Sequence, residues 1–475
     1  MDTDSFFKKI KQVVTSRQFI AVAVLVLAAL IIRIAVAVPG LDKAPGHFCR
    51  PDSAGYIQPA LALAEDGGFY AGPGLKVPDV SRPPGFPLFL AAFFYLFGEN
   101  YVIPVLAMCL VGALICVPVY LTGKLFGGHL AGMIAAGFVA LNITGIAMSP
   151  MYLTDSFFTF LIAWQLYFFS LFYVRRDLRW CYPGVILAAL SVLIRPISVL
   201  WYIPAGFLIL IIPGVNFKKK LITALTCTAI FWAVVFPWML RNSYAGAGLC
   251  VDVNTGSMYH QNGAMLISAV KGTSYEAEKQ CILKEQEQEF ADTAKYPDEK
   301  SRVDYRLKKL RELIIQYPLT YLRLHFNPQV MLPDAPTFFE LLGFTQSDRG
   351  TLDVMHRFGI FAAVNHYFAG KLWLPALLIP ALLVVLCCYL GCLVQLGVWL
   401  FEKKIFLIFF FLAFVEYYLL LPGPITVPRY HLPALPLIAV MGATGCILCM
   451  RRMRYFRKKG SVKSGMKEMN KDEDR

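Results

Sequence analysis

Six charged side chains stand at the ends of long apolar runs, where an ionised group costs free energy unless it pairs or binds something. They are Asp52, Arg82, Asp155, Arg195, Arg241 and Arg429. Polar neighbours accompany them: Tyr56 in the loop of Asp52, Asn242 after Arg241, and Tyr430 after Arg429. Carboxylates and guanidiniums in an apolar surround suit the handling of a phosphate. A guanidinium grips phosphate oxygens in bidentate fashion and neutralises charge that develops there. A carboxylate beside it can take a proton from an attacking hydroxyl or amine. Each residue also has a plainer reading. Asp52 or Ser53 could cap a short helix, Asp155 could cap another, and Arg82 and Arg241 could snorkel to the interface. Arg195 beside Pro196 is harder to dismiss, because an unpaired arginine at a helix break in a membrane is costly.

The elements that must position these groups follow from composition. The 475 residues are 57% hydrophobic and 16% charged, where a soluble domain carries about 25% charge. The net charge of +14 does not indicate nucleic acid, because the Lys/Arg excess lies in short loops and tails between apolar runs. The expected fold is all-α and polytopic, with about ten transmembrane helices. Interfacial helices in the first outer loop and a small, mainly helical extracytoplasmic lobe complete it. Residues 18–38 form the first span and lead into an outer loop over 39–100. In that loop 86–97 are apolar but too short to cross, and read as an interfacial helix. Spans are expected at 101–123, 129–148 and 153–174, then a short pair over 182–212 broken at Arg195-Pro196, then 221–238.

This divides the chain into an N-terminal transmembrane catalytic region (1–238), the lobe (239–371), a C-terminal transmembrane region (372–450) and a basic cytoplasmic tail (451–475). In the lobe, Asn242 to Gly272 reads as loop, and 275–293 and 298–324 as helices. Both termini fall in the cytoplasm and all six charged candidates on the outer face of the cell (plasma or inner) membrane. Most of the 12 cysteines lie in apolar runs without metal-ligand spacing. Cys49, Cys250 and Cys281 lie outside the spans, where one pair could bridge or all could be free thiols.

A lipid-linked sugar phosphate meets these requirements as substrate. Its phosphate leaves as a stable anion, so no general acid is needed, unlike glycoside hydrolysis by a carboxyl pair. The expected reaction moves the sugar from a polyprenyl-phosphate donor to a glycan, lipid or protein acceptor, with inversion. The alternatives are a transporter or flippase of lipid-linked sugars, and a glycan polymerase or ligase. Transporters tend to carry internal repeats and midplane sites, whereas these candidates sit at outer span ends.

Four stretches carry a resemblance to a known family. They are Asp52-Ser53-Ala54-Gly55-Tyr56, Arg82-Pro83-Pro84-Gly85, Phe236-Pro237-Trp238-Met239-Leu240-Arg241-Asn242, and Pro428-Arg429-Tyr430-His431-Leu432-Pro433. In this order the chain resembles the membrane-embedded glycosyltransferases of the C superfamily fold. Protein O-mannosyltransferases and lipid A aminoarabinose transferases are the most similar branch. The resemblance implies that Asp52 is the first-loop catalytic acid residue and that Arg82 and Arg241 contact the donor phosphate. Asp155 matches a second acidic position. Many relatives have Asp-Glu where this chain has Asp52-Ser53, and relatives differ in metal dependence, so no cofactor is assigned and a divalent metal is left open.

Overall fold

Apolar helices account for nearly all of the architecture. It was obtained as a computed structural model and describes residues 16–254, 258–326, 328–345, 354, 358–368, 370–371, 373–420, 423–425 and 427–453. Helix α1 (Arg17–Ala37) starts at Ser16, whose hydroxyl accepts from the Phe19 amide. Its one charged interior residue, Arg33, is only 1% exposed. That guanidinium donates to Ser149 Oγ and to the carbonyls of Ala29, Val139 and Ala140. A buried cation needs every donor satisfied, and here backbone carbonyls do it, tying α1 to the third crossing region.

The first loop holds α2 (Ala54–Asp66), stopped by Gly67 at φ +70°, a conformation that glycine adopts without steric cost. A tight hairpin follows, closed by Ala71 N donating to Val77 O at 2.9 Å and Asp79 N to Phe69 O at 3.1 Å. Next come α3 (Gly85–Phe97), α4 (Val102–Leu114) and α5 (Cys116–Gly127), with α2 packed on α3. The amide of Gly85 donates to Leu193 O at 2.7 Å. A Cβ there would stand 2.7 Å from that same oxygen, so only glycine lets the Arg82 segment press against the Arg195 break.

Helices α6 (His129–Ala140) and α7 (Ile143–Met148) occupy the stretch expected to be one span over 129–148. Asn142 interrupts it, accepting from Gly145 N at 2.7 Å and so capping a new helix. Then follow α8 (Asp155–Arg175), α9 (Cys181–Val192), α10 (Tyr202–Ile211) and α11 (Phe217–Tyr244). Arg195 is extended, and Pro196 opens a 3-10 turn before α10. Helix α11 runs through Pro237 and past the expected end at 238, since its missing hydrogen bond is tolerated in a membrane helix.

The stretch expected to form the lobe contains α12 (Ala264–Lys271), α13 (Tyr275–Phe290), α14 (Glu299–Gln316), α15 (Pro318–His325), α16 (Ala335–Leu341) and α17 (Ile360–Tyr367). Ser274 and Asp298 cap α13 and α14. Part of 242–272, expected as loop, is helical: a π turn at Tyr259–Gly263 leads into α12. The chain closes with α18 (Ile379–Phe401), α19 (Ile405–Leu420) and α20 (Leu435–Met453).

Among the described residues six helices are long and apolar enough to cross a membrane, and five shorter apolar helices accompany them. About ten crossings would need most of the shorter helices to cross as well. All twelve cysteines, including Cys49, Cys250 and Cys281, are free thiols. One large apolar core gathers α1 to α6, and a second gathers α8 to α11 with α18 to α20. Arg82 stands over Tyr56 of the first core, and Arg195 over Phe158 of the second.

Candidate active site

Asp52 sits just before α2, but neither it nor Ser53 caps that helix: no side chain there accepts a first-turn amide. The Ser53 hydroxyl instead accepts from Arg50 N. The Asp52 carboxylate is gripped from both sides. Oδ1 lies 2.9 Å from Arg82 Nη2, and Oδ2 lies 3.2 Å from Arg429 Nη2. Arg82 stands over the Tyr56 ring at 4.8 Å, with Nη1 3.4 Å from the Tyr56 hydroxyl. Tyr56 in turn meets Phe86 edge-on, which fixes the ring that supports the guanidinium.

Asp155 is the first residue of α8 and does not cap it either. Its side chain is 0% exposed and lies 2.8 Å from Arg195 Nη2. Arg195 also donates from Nε to Thr154 Oγ1 at 2.5 Å and stands over the Phe158 ring. The helix break is what frees Arg195 to reach α8. Arg429 completes the row: its Nη1 lies 3.9 Å from Asp155 Oδ2 while Nη2 holds Asp52. The 3-10 turn carrying Arg429, Pro428–His431, is anchored by buried His431, whose Nδ1 lies 2.9 Å from the Val330 carbonyl. Tyr430 lies beside Arg429, its ring 5.8 Å from that guanidinium carbon.

The outcome is an alternating row, Arg82–Asp52–Arg429–Asp155–Arg195, drawn from residues up to 377 positions apart. Burial pushes the Asp52 carboxyl up, but the Arg82 and Arg429 charges and their hydrogen bonds outweigh it and leave the group below the usual carboxylate range. Asp52 is therefore an anion at neutral pH. Burial lowers the Arg429 pKa, and the Asp155 and Asp52 carboxylates, with the Asp52 hydrogen bond, more than restore it. A depressed carboxyl contributes stability present above its unfolded pKa and lost as pH falls through its folded one. A reaction that needs ionised Asp52 should therefore keep its rate through mildly acid pH and lose it only below the usual carboxylate range. A pH–rate profile with an acid limb in the histidine range, about 6.5, would point to another group.

Two expected site residues stand apart from this row. Arg241 donates to the carbonyls of Asp79 and Phe69 and to Asn242 Oδ1, and lies over the Trp238 and Phe69 rings. Both its terminal nitrogens thus clamp the two ends of the 69–79 hairpin. Asn242 is buried and donates to the carbonyls of Cys250 and Val251. In this structure Arg241 holds the hairpin that precedes Arg82, and Asn242 holds the 250–251 segment. Arg241→Met should destabilise the hairpin by about 1–3 kcal/mol, read as faster proteolytic cleavage within 69–79. Unchanged cleavage would mean the clamp holds nothing.

Asp155 is the more enclosed of the two carboxylates in the row. It is fully buried and faces two arginines, Arg195 at 2.8 Å and Arg429 at 3.9 Å. Sequence reading missed Asp79, which lies between Arg82 and Arg241. Its Oδ1 accepts from Ser81 N and Oγ, and its Oδ2 is buried without a partner. Burial raises its carboxyl pKa, against the Ser81 bonds and the Arg241 and Arg82 charges. Its signal was only its place three residues before Arg82. No cluster of three or more metal-ligating side chains occurs among the described residues. The Arg429 guanidinium fills the position between Asp52 and Asp155 that a bridging cation would take.

Residues 81–240 match the family described as dolichyl-phosphate-mannose-protein mannosyltransferase. That stretch contains Arg82, Asp155 and Arg195, and stops short of Asp52 and Arg429. The archaeal oligosaccharyltransferase AglB from Archaeoglobus fulgidus, solved with an inhibitory peptide and a dolichol-phosphate, superposes with a TM-score of 0.52 at 15% identity. The overlay covers 94% of this chain and 52% of that one. The chain has the fold of the membrane-embedded glycosyltransferases. A second structure of this glycosyltransferase fold, the A. fulgidus oligosaccharyltransferase tethered to an acceptor peptide containing the NVT sequon, gives a TM-score of 0.50 at 16% identity. It is covered over 51% of its length, with 94% of this chain. The chain thus spans about half the length of these solved structures. No curated protein sequence matches it.

Proposed function

We propose that this protein is a glycosyltransferase that moves a sugar from a polyprenyl-phosphate donor to an extracytoplasmic acceptor, with inversion. The observation that carries this reading is the row of three guanidiniums and two carboxylates at the ends of apolar helices. Its formal charge is one unit positive, which complements the single negative charge of a phosphodiester. A diphosphate-linked donor carries one charge more, which favours the monophosphate over a polymerase or ligase reading.

In this mechanism Arg82 and Arg429 bind the donor phosphate and neutralise the charge that grows on it as the sugar–oxygen bond breaks. Asp52, part-exposed and anionic, accepts the proton of the attacking acceptor group. Asp155 holds Arg195 and Arg429 in place, and Tyr56 supports Arg82. The lobe over 239–371 lies on the same side as the row and is where we place acceptor selection. We place the row on the extracytoplasmic side of the plasma or inner membrane, with both termini in the cytoplasm.

The test uses full-length protein reconstituted in vesicles with labelled polyprenyl-phosphate sugar and a mixture of peptide, glycan and lipid acceptors. Label moved to an acceptor supports the reading. Label that changes leaflet but stays on its carrier would replace it with a flippase.

A further inference from the structure

A cavity of 380 Å³ opens between α8, α18, α19 and α20 at the end of the bundle away from Asp52. Ser170, in its wall, is about 22 Å along α8 from Asp155 at the helical rise. The volume falls in the range of ligand pockets, about 300–1,000 Å³. Leu166, Phe411, Leu437 and Val440 line its depth. Two of its polar lining residues are buried, Gln395 at 7% and Ser170 at 6% exposure. Neither has a hydrogen-bond partner among the described residues. Both groups are therefore able to donate to an occupant that brings acceptor oxygens into the cavity.

The mouth carries Glu402, Lys404 and Arg451. Lys404 pairs with Glu402 at 2.6 Å, which leaves Arg451 exposed and without an ion pair among the described residues. Apolar depth, two donors above it and a free cation at the rim match the layers of one lipid. Ser170 is about 8 Å below the α8 end at Arg175. A bilayer headgroup zone is about 5–8 Å thick, so Ser170 sits at ester depth when the end of α8 sits at phosphate depth.

We propose that this cavity binds one anionic diacyl phospholipid from the adjoining leaflet. An acyl chain fills the apolar depth, the ester carbonyls accept from Gln395 Nε2 and Ser170 Oγ, and the phosphate pairs with Arg451. The site is separate from the Asp52 row, and its test needs no transfer activity.

Delipidated full-length protein is titrated with phosphatidylglycerol or phosphatidylcholine and followed by native mass spectrometry. One phosphatidylglycerol per chain is expected, bound about tenfold or more tightly than phosphatidylcholine. Arg451→Gln should remove that preference, and Gln395→Leu should weaken both lipids, with unfolding temperatures confirming that each variant is folded. No bound lipid, equal binding of the two lipids, or unchanged binding in both variants overturns the proposal. So does displacement by polyprenyl phosphate that phosphatidylglycerol cannot match.

Discussion

Asp52→Asn should yield a folded protein whose transfer rate is lower by about 10²- to 10⁴-fold, the range a single positioned base contributes. The amide keeps the size of the carboxylate and can still accept from Arg82. It cannot also accept from Arg429, because its nitrogen is a donor and faces Arg429 Nη2 across what is now a 3.2 Å ion pair. The variant therefore loses the base and loosens one of the two phosphate-binding arginines together. Stability should change little, because the Asp52 side chain is 41% exposed and exposed pairs are worth little. Single-turnover transfer at saturating donor, alongside thermal unfolding, separates the two effects. A rate within about threefold of wild type, far short of a base's usual contribution, would remove Asp52 from the chemistry.

Asp155→Leu should act mainly on stability. The carboxylate is fully buried, and its loss strands Arg195 and leaves Arg429 with Asp52 alone. Breaking a buried pair from one side costs about 3–5 kcal/mol, because the remaining charge is left without compensation. Asp155→Leu combined with Arg195→Met should be less damaging than Asp155→Leu alone, since both members of the close pair are then gone. Unfolding in detergent across the four proteins of this cycle measures the coupling. Additive losses would mean that the 2.8 Å pair is not what holds the region.

Much of this site was legible in the sequence because a membrane interior makes charge conspicuous. Asp52, Arg82, Asp155, Arg195 and Arg429 stood out as ions beside apolar runs, and those five form the row. Their roles were less legible, because sequence gives the type of a residue and not its facing. Arg241 reads as another phosphate ligand, and nothing in the sequence announces that its donors also reach the carbonyls of Phe69 and Asp79. Arg33 stayed hidden in the first span, since carbonyls freed near α6 and α7 satisfy it and no acidic partner betrays it. The helices expected at 275–293 and 298–324 followed from helical spacing with mixed charge, while their caps at Ser274 and Asp298 appear only in the structure. The break at Asn142 did not, because a single polar residue within an apolar run looks tolerable until its side chain is seen to start a new helix.

The odd count in the row, with a guanidinium at each end, bears on turnover under the proposed reaction. The arriving diester carries one negative charge. Once the sugar has gone, the carrier phosphate approaches two, since its second ionisation lies near pH 6. Arg82 and Arg429 would then hold the spent carrier more firmly than they held the loaded one. Catalytic cycling would be paced by departure of the used lipid, and a membrane crowded with unrecycled carrier would throttle the protein without any dedicated inhibitor.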